Sequence, residues 1–499
     1  MHLSRLQNLI HIPPLPSSRK CPVSLGIRQL HSITIQDDPS KIQRLTGGRQ
    51  LHGDEKTAPR PLSLLPTSTL IRSYAITASS SYPFLLTPSL RLLSWVAHSS
   101  SPILNPDRNP LLHFLLKKTL YVQFCAGETF HEVQITVQSL KSMGFRGVIL
   151  AYGREIVLSK GEKAEIAHST TAQYNGTKRE GRIETPTVAG EDLGKVKEWR
   201  EGTLKTVGMT SAGDYVALKF SGAGEDAMRQ LAAKSAPSPA MEEATRQICD
   251  VAQSRGVRLL FDAEQHLVQE GIDQWTLAFQ RRYNREGHAL VYGTYQAYLR
   301  SAPDTLAKHL AIAKRDGFVL GVKLVRGAYM ASDPRECFWS SKDETDVAYD
   351  GIMESLLRRQ WNDVLQPTPE SDPKGFPGVD LVLASHNQES VSKAMAIRKR
   401  QTEMGQEKIE MAYGQLMGMA DEVSCDLVMA CKKNESAREA SGQDLADVGP
   451  KAYKYLVWGS VGECLKYLVR RAEENRDAVL RARGSRFALG MELKRRMWG

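Results

Sequence analysis

The chain has 499 residues, 41% hydrophobic and 24% charged, the make-up of a folded soluble protein too long for one small domain. Its formal charge of +10 first suggests nucleic acid, but fourteen Lys or Arg against five Asp or Glu fall between Met1 and Leu120, so the body is nearly neutral and a basic nucleic-acid groove is excluded. Seven scattered cysteines without a CxxC exclude a disulfide framework and a thiolate metal site.

The first 105 residues are rich in Ser, Leu, Ile and Pro, and Arg5, Arg19, Lys20 and Arg28 precede the first acidic residue, Asp37. A basic, Ser-rich, acid-poor leader predicts mitochondrial targeting sequence followed by disorder over 1–105. The apolar stretch from Tyr82 to Ala97 is broken by Pro83, Pro88 and Arg91, and the run from Leu111 to Leu120 is short and carries Lys117 and Lys118. No membrane span is expected, and membrane contact would be peripheral.

From about residue 110 short apolar runs alternate with amphipathic stretches. The runs are Gly147–Tyr152, Tyr215–Phe220, Arg258–Asp262, Ala289–Tyr295, Phe318–Val325, Leu381–Ser385, Ile409–Leu416 and Tyr455–Trp458. Their near-continuous hydrophobicity suits strands buried on both faces of a parallel sheet. Helical patterns lie between most of them, for example at 240–254, 302–315, 343–359 and 388–404. The expected fold class is α/β, a (β/α)8 TIM-type barrel over 106–484, with an N-terminal helical or disordered extension and an insert between the first two of these strands. A doubly wound sheet is the rival, but no GxGxxG occurs. The insert, 153–213, is polar and Gly-rich with a helix expected near 192–204, and reads as a peripheral decoration rather than a lid. Residues 364–379 read as Pro-rich loop, and 485–499 as a solvated tail.

Barrel enzymes work at the C-terminal ends of their strands. Here those ends offer Lys219 and Ser221, then Asp262 and Glu264, Tyr295 and Gln296, Lys323 and Arg326, Ser385, His386 and Asn387, and Gln415 and Leu416; the eighth run begins near Tyr455. Each has a bland alternative. Asp262 could cap a helix, the lysines could be rim ion pairs, and His386 could be a packed histidine. No HxH, HExxH or carboxylate cluster accompanies His386, so no metal is expected. Near the C-terminus a helix from Gly462 to about Val479 would place Tyr467, Arg470, Arg471 and Glu474 on one side. Two adjacent guanidinium forks suit a small carboxylate.

These segments resemble the proline dehydrogenase family. The matching stretches include Phe261-Asp262-Ala263-Glu264, Lys323-Leu324-Val325-Arg326-Gly327-Ala328-Tyr329, Ser385-His386-Asn387 and Tyr467-Leu468-Val469-Arg470-Arg471. The resemblance implies a distorted (β/α)8 barrel holding FAD without a Rossmann domain, on the matrix side of the inner mitochondrial membrane. It implies that L-proline is oxidised to Δ1-pyrroline-5-carboxylate by hydride transfer to flavin, with electrons passed to a quinone. Arg470, Arg471 and Lys219 would grip the substrate carboxylate, Tyr455, Tyr467 and Leu416 would wall the ring, and Asp262 would orient the cations. Gln296, Lys323, Val325, Gly327, Ala328, Tyr329, Ser385, His386, Asn387 and Glu474 would line the flavin. Gly327 would let backbone approach the cofactor closely. Gly293 departs from the family pattern, standing where an Asn or Gln against the flavin is expected. Three other readings stay open: hydroxyproline dehydrogenase, a Schiff-base aldolase using Lys219 or Lys323, and an inactive barrel.

Overall fold

The computed structural model describes residues 60–80, 82–97, 99, 101–153, 189–330, 333–369, 371, 375–441, 449–474 and 483–498. A short strand, β1 (Cys125–Gly127), precedes the eight anticipated ones: β2 (Gly147–Tyr152), β3 (Tyr215–Leu218), β4 (Arg258–Phe261), β5 (Val291–Gln296), β6 (Leu320–Val325), β7 (Val379–Ala384), β8 (Met411–Leu416) and β9 (Ala452–Trp458). Strands β2 to β9 pair in sequence and in parallel, and β9 bonds to both β8 and β2, which closes the barrel. The closure is uneven. β8 follows β9 only to the pair Leu416–Tyr455, and beyond it β1 takes over at Cys125–Val457.

Side chains alternate across each strand, so one set fills the barrel and the next meets the helices. Ile149, Tyr215, Leu260, Tyr292, Val382, Ala412 and Tyr453 form the inner set. Val148, Leu150, Val322, Leu324, Leu381 and Leu383 belong to the outer layer with the helices 302–316, 342–358 and 388–403. Both sets are buried, which is why the runs read as continuously apolar.

Three expectations are corrected. The insert is not a decoration in its described part. Helix Ala189–Gly208 is the crossover that a parallel β2–β3 pair requires, and its Trp199 is buried beside Phe220, ring centroids 6.1 Å apart. Residues 154–188 of that insert lie outside the described residues. Within the stretch expected to be disordered, helices Thr67–Ser80 and Pro83–Ala97 form, and Leu93, Val96 and Ala97 join a cluster with Val461, Leu465 and Val469. The leader itself, up to residue 59, is outside the described residues. The supposed tail is mostly helix Arg483–Trp498. It is tied to the first helices by Arg496, which donates to Thr67 Oγ1 at 2.8 Å and to the Leu65 carbonyl at 2.8 Å. Its buried Glu492 accepts from Arg495 and Arg496.

Candidate active site

Asp262 follows the last residue of β4 and is buried at the barrel mouth. It caps no helix. Its Oδ1 receives Lys323 Nζ from β6 at 2.5 Å, and its Oδ2 receives the Tyr455 hydroxyl from β9 at 2.9 Å. Lys323 Nζ also lies 5.1 Å from the Tyr455 ring centre, so the ring is held between cation and carboxylate. Burial, then the Asp262 charge, pushes the Tyr455 phenol well above its ordinary range, so it remains a donor. Residues 193 and 61 positions from Asp262 in sequence are joined here by the barrel alone. The Lys323 salt bridge opposes its use as an amine nucleophile, which weakens the aldolase reading.

Lys219 follows β3, and its carbonyl receives the indole N–H of Trp199 at 2.9 Å. Its positive charge acts on Glu264, a buried carboxyl that accepts the Ser221 N–H at 3.0 Å. Burial raises the Glu264 pKa and Asp262 adds to the rise, so Lys219 and Asp262 face the same group from two strands. Gln296, at the end of β5, accepts from the Ala328 N–H at 3.3 Å, while its buried Nε2 has no protein partner. Tyr329 is buried in the same loop after β6, beside half-buried Val325 and Ala328.

The β7 end is fixed from several sides. Ser385 Oγ receives Arg326 Nη1 at 2.7 Å and the Asn387 N–H at 3.1 Å. Asn387 is the N-cap of helix Gln388–Glu403, accepting from the Glu389 and Ser390 N–H groups. His386 Nε2 accepts from the Leu416 N–H at 3.1 Å, which requires a neutral ring. His386 is exposed at the mouth, yet the protein crowded about its ring, and then the cations Lys454, Arg471 and Arg326, push its pKa down. Across the mouth runs helix Val461–Glu474. Arg470 lies over the Tyr329 ring at 5.3 Å and Arg471 over the Tyr467 ring at 5.8 Å. The Arg471 charge reaches both His386 and Tyr455. The mouth thus gathers several cations and a carboxylate-held phenol, a set able to hold the acid end of a small zwitterion.

The family model for proline dehydrogenase matches residues 133–483, more than half of the chain. The chain belongs to the proline dehydrogenase family. It is 28% identical to the hydroxyproline dehydrogenase of Bos taurus, over 86% of this chain and 90% of that protein. It is also 28% identical to proline dehydrogenase 1, mitochondrial, of Dictyostelium discoideum, over 78% of this chain and 66% of that one. The probable mitochondrial proline dehydrogenase of Schizosaccharomyces pombe is 31% identical over half of this chain, which spans 49% of that relative's length. In fold the chain is similar to proline utilization A of Bdellovibrio bacteriovorus inactivated by N-propargylglycine, with a TM-score of 0.52 and 16% identity over 85% of this chain and 40% of that one.

Against that family pattern two sequence expectations change. Gly293 faces away from the mouth: a Cβ there would meet Thr276 and Gln280 of helix His266–Tyr283 at 3.1 and 3.4 Å. No side chain at 293 would reach a cofactor from this register, so its departure removes no contact. Gly327 is required by Tyr298, whose ring a Cβ would meet at 2.0 Å, and by its φ of +142°. Close approach of a ligand is not needed to explain it. The Glu474 side chain lies outside the described residues.

Sequence reasoning gave Arg326 and Lys454 no role. Arg326 is clamped by Asp346, Ser385 and Ser390 and lies 4.2 Å from the Tyr349 ring centre, which fixes the loop after β6 to the start of helix Gln388–Glu403. Lys454, 2% exposed, holds the Met419 carbonyl and Asp421 and so pins the loop that follows Leu416. The signal for Lys454 was a lysine inside an otherwise apolar strand, which demands a buried partner.

Proposed function

We propose that this protein oxidises L-proline to Δ1-pyrroline-5-carboxylate with FAD. The observation that carries the reading is that Tyr467 and Arg471 of one helix act on Tyr455, which Asp262 and Lys323 hold at the mouth of a family barrel, while Arg470 of the same helix lies over Tyr329. Arg470 and Arg471, with Lys219, bind the substrate carboxylate, and charge-assisted forks fix its direction as well as its place. Tyr455, held by Asp262, and Tyr467 with Leu416 wall the ring and keep water from it. That positioning replaces a bimolecular encounter by a fixed geometry. Several cations at one mouth also favour the substrate with its amine neutral, the form from which a hydride can leave the carbon next to nitrogen.

The residues present fit FAD. Gln296 holds a buried amide N–H edge without a protein partner. Ala328 bonds the same Gln296 side chain, and Val325, Gly327, Tyr329, Ser385, His386 and Asn387 belong to the neighbouring β6 and β7 ends and would line the cofactor with Lys323, Glu474 being added by its motif. FAD bound there would supply a two-electron acceptor for the hydride, with a quinone as the onward electron acceptor. We place the protein in mitochondria, on the matrix side of the inner membrane, in keeping with the basic leader. No helix among the described residues is long and apolar enough to cross a membrane. Phe84, Leu92 and Trp95, more than half exposed on one face of helix Pro83–Ala97, support a peripheral contact. Pelleting with anionic liposomes should weaken when Leu92 and Trp95 become Ser; unchanged pelleting removes that face.

The deciding experiment is an absorbance spectrum before and after anaerobic L-proline. A flavin band that bleaches establishes cofactor and reaction together. A band indifferent to proline that bleaches with hydroxyproline would make the second reading correct, the one favoured by the bovine relative's name. Tyr455 argues for proline, because its bonded ring leaves little room for a 4-hydroxyl.

A further inference from the structure

The N-terminus of the arginine-bearing helix is held by residues that precede the family match. Ser460 and Glu463 form a capping box: the Glu463 N–H donates to Ser460 Oγ at 3.3 Å, and the Ser460 N–H donates to Glu463 Oε2 at 3.1 Å. The two N–H groups left between them are taken from far along the chain. Gly462 donates to Asp107 Oδ1 at 2.9 Å and Val461 to Glu128 Oε1 at 3.2 Å. Asp107 Oδ2 also receives the Ser460 hydroxyl at 2.9 Å, which aims that hydroxyl's lone pairs at Glu463. Every amide of the first turn therefore has an acceptor, and two carboxylates stand at the positive end of the helix dipole. Position 462 must be glycine for this, since a Cβ would lie 2.4 Å from Asp107 Oδ2. Tyr121 fixes the approach by donating to the Gly459 carbonyl at 2.7 Å.

Asp107, His113 and Glu128 come within 4.8 Å of one another, a spacing a cation could use. Asp107 Oδ1 and Glu128 Oε1 are already committed to the helix amides, Asp107 Oδ2 to the Ser460 hydroxyl and Glu128 Oε2 to Lys117 at 2.6 Å, so the cluster serves the helix.

We infer that Asp107 is a positioning residue for proline binding: it sets the axial place of helix Val461–Glu474 and thereby the stance of Arg470 and Arg471 over the mouth. The inference rests on the proposed proline chemistry. A helix transmits displacement along its axis, and Arg471 lies roughly 13 Å from Gly462 along it. Glu128 shares the task but also binds Lys117, so Asp107 is the cleaner probe.

The test compares the full-length holoenzyme with Asp107→Ala and Asp107→Asn. Loss of one cap should raise KM for L-proline roughly three- to tenfold in Asp107→Ala with kcat changed less, and faster amide hydrogen exchange should be confined to 461–474. Asp107→Asn, which keeps an acceptor for Gly462, should restore most of both. Unchanged KM overturns the inference, whether exchange rises or not, because the cap is then purely structural. A fall in thermal stability and active fraction with KM constant overturns it in the same way. If wild-type protein ignores proline, the functional reading fails. Hydrogen exchange then tests the brace by itself: protection of 461–474 retained in Asp107→Ala overturns the brace too, and protection lost there keeps the brace while the role in proline binding falls.

Discussion

In the proposed reading Arg471 and Tyr455 meet different parts of the same small substrate, so their substitutions should separate cleanly. Arg471→Met removes a charge-assisted bond worth about 1.5–3 kcal/mol, so KM for proline should rise by roughly an order of magnitude or more. Steady-state kinetics checks this, and an unchanged KM removes Arg471 from the site. Tyr455→Ser takes away the ring and its bond to Asp262, opening space where a 4-hydroxyl would lie. The ratio of kcat/KM for hydroxyproline over proline should increase; if both fall in step, the ring does not discriminate. These residues were legible as chemistry because Arg-Arg beside Tyr on a helix face and Asp at a strand end are uncommon in solvated positions. Their partners were not. Nothing local joins Lys323 and Tyr455 to the two oxygens of Asp262.

Among the elements, the loop after β6 shows how backbone and packing set a site together. Gly327 has φ +142° and Tyr298 fills the space of a side chain there, while Tyr298 stacks on Phe338 with centroids 4.5 Å apart. Gly327→Ala should therefore cost about 1–3 kcal/mol and displace Ala328 from Gln296, lowering both thermal stability and flavin content. A variant with wild-type melting temperature and flavin would show that the loop is more pliant than this packing implies. The helix Ala189–Gly208 makes a different point. Its sequence is polar and of modest pattern, so it read as decoration, yet it carries Trp199 to the Lys219 carbonyl. A crossover between parallel strands is imposed by topology, and topology leaves little mark on a partly solvated helix.

For the whole molecule, protonation gives a stability test that needs no substrate. His309, bonded through Nδ1 to the Tyr295 hydroxyl at 2.8 Å, is lowered from 6.5 to about 4, by burial first. Its folded pKa lies below the unfolded one, so between pH 6.5 and 4 the unfolded chain binds more protons. The stabilisation is present above about pH 6.5 and is lost as pH falls towards 4. Melting temperature measured across that window should decline, and His309→Asn should flatten part of the slope; a slope identical in wild type and variant would assign it to other groups. The barrel, its strand order and the polar strand ends were determined by the sequence alone, because burial on both faces forces continuous apolar runs and leaves polar residues only where strands end. The tertiary structure alone decided that Gly293 faces the helix layer, that the C-terminal stretch is a docked helix, and that Asp107 caps the arginine helix from 355 residues away. Those outcomes depend on register and on contacts between distant segments, and a local pattern carries neither.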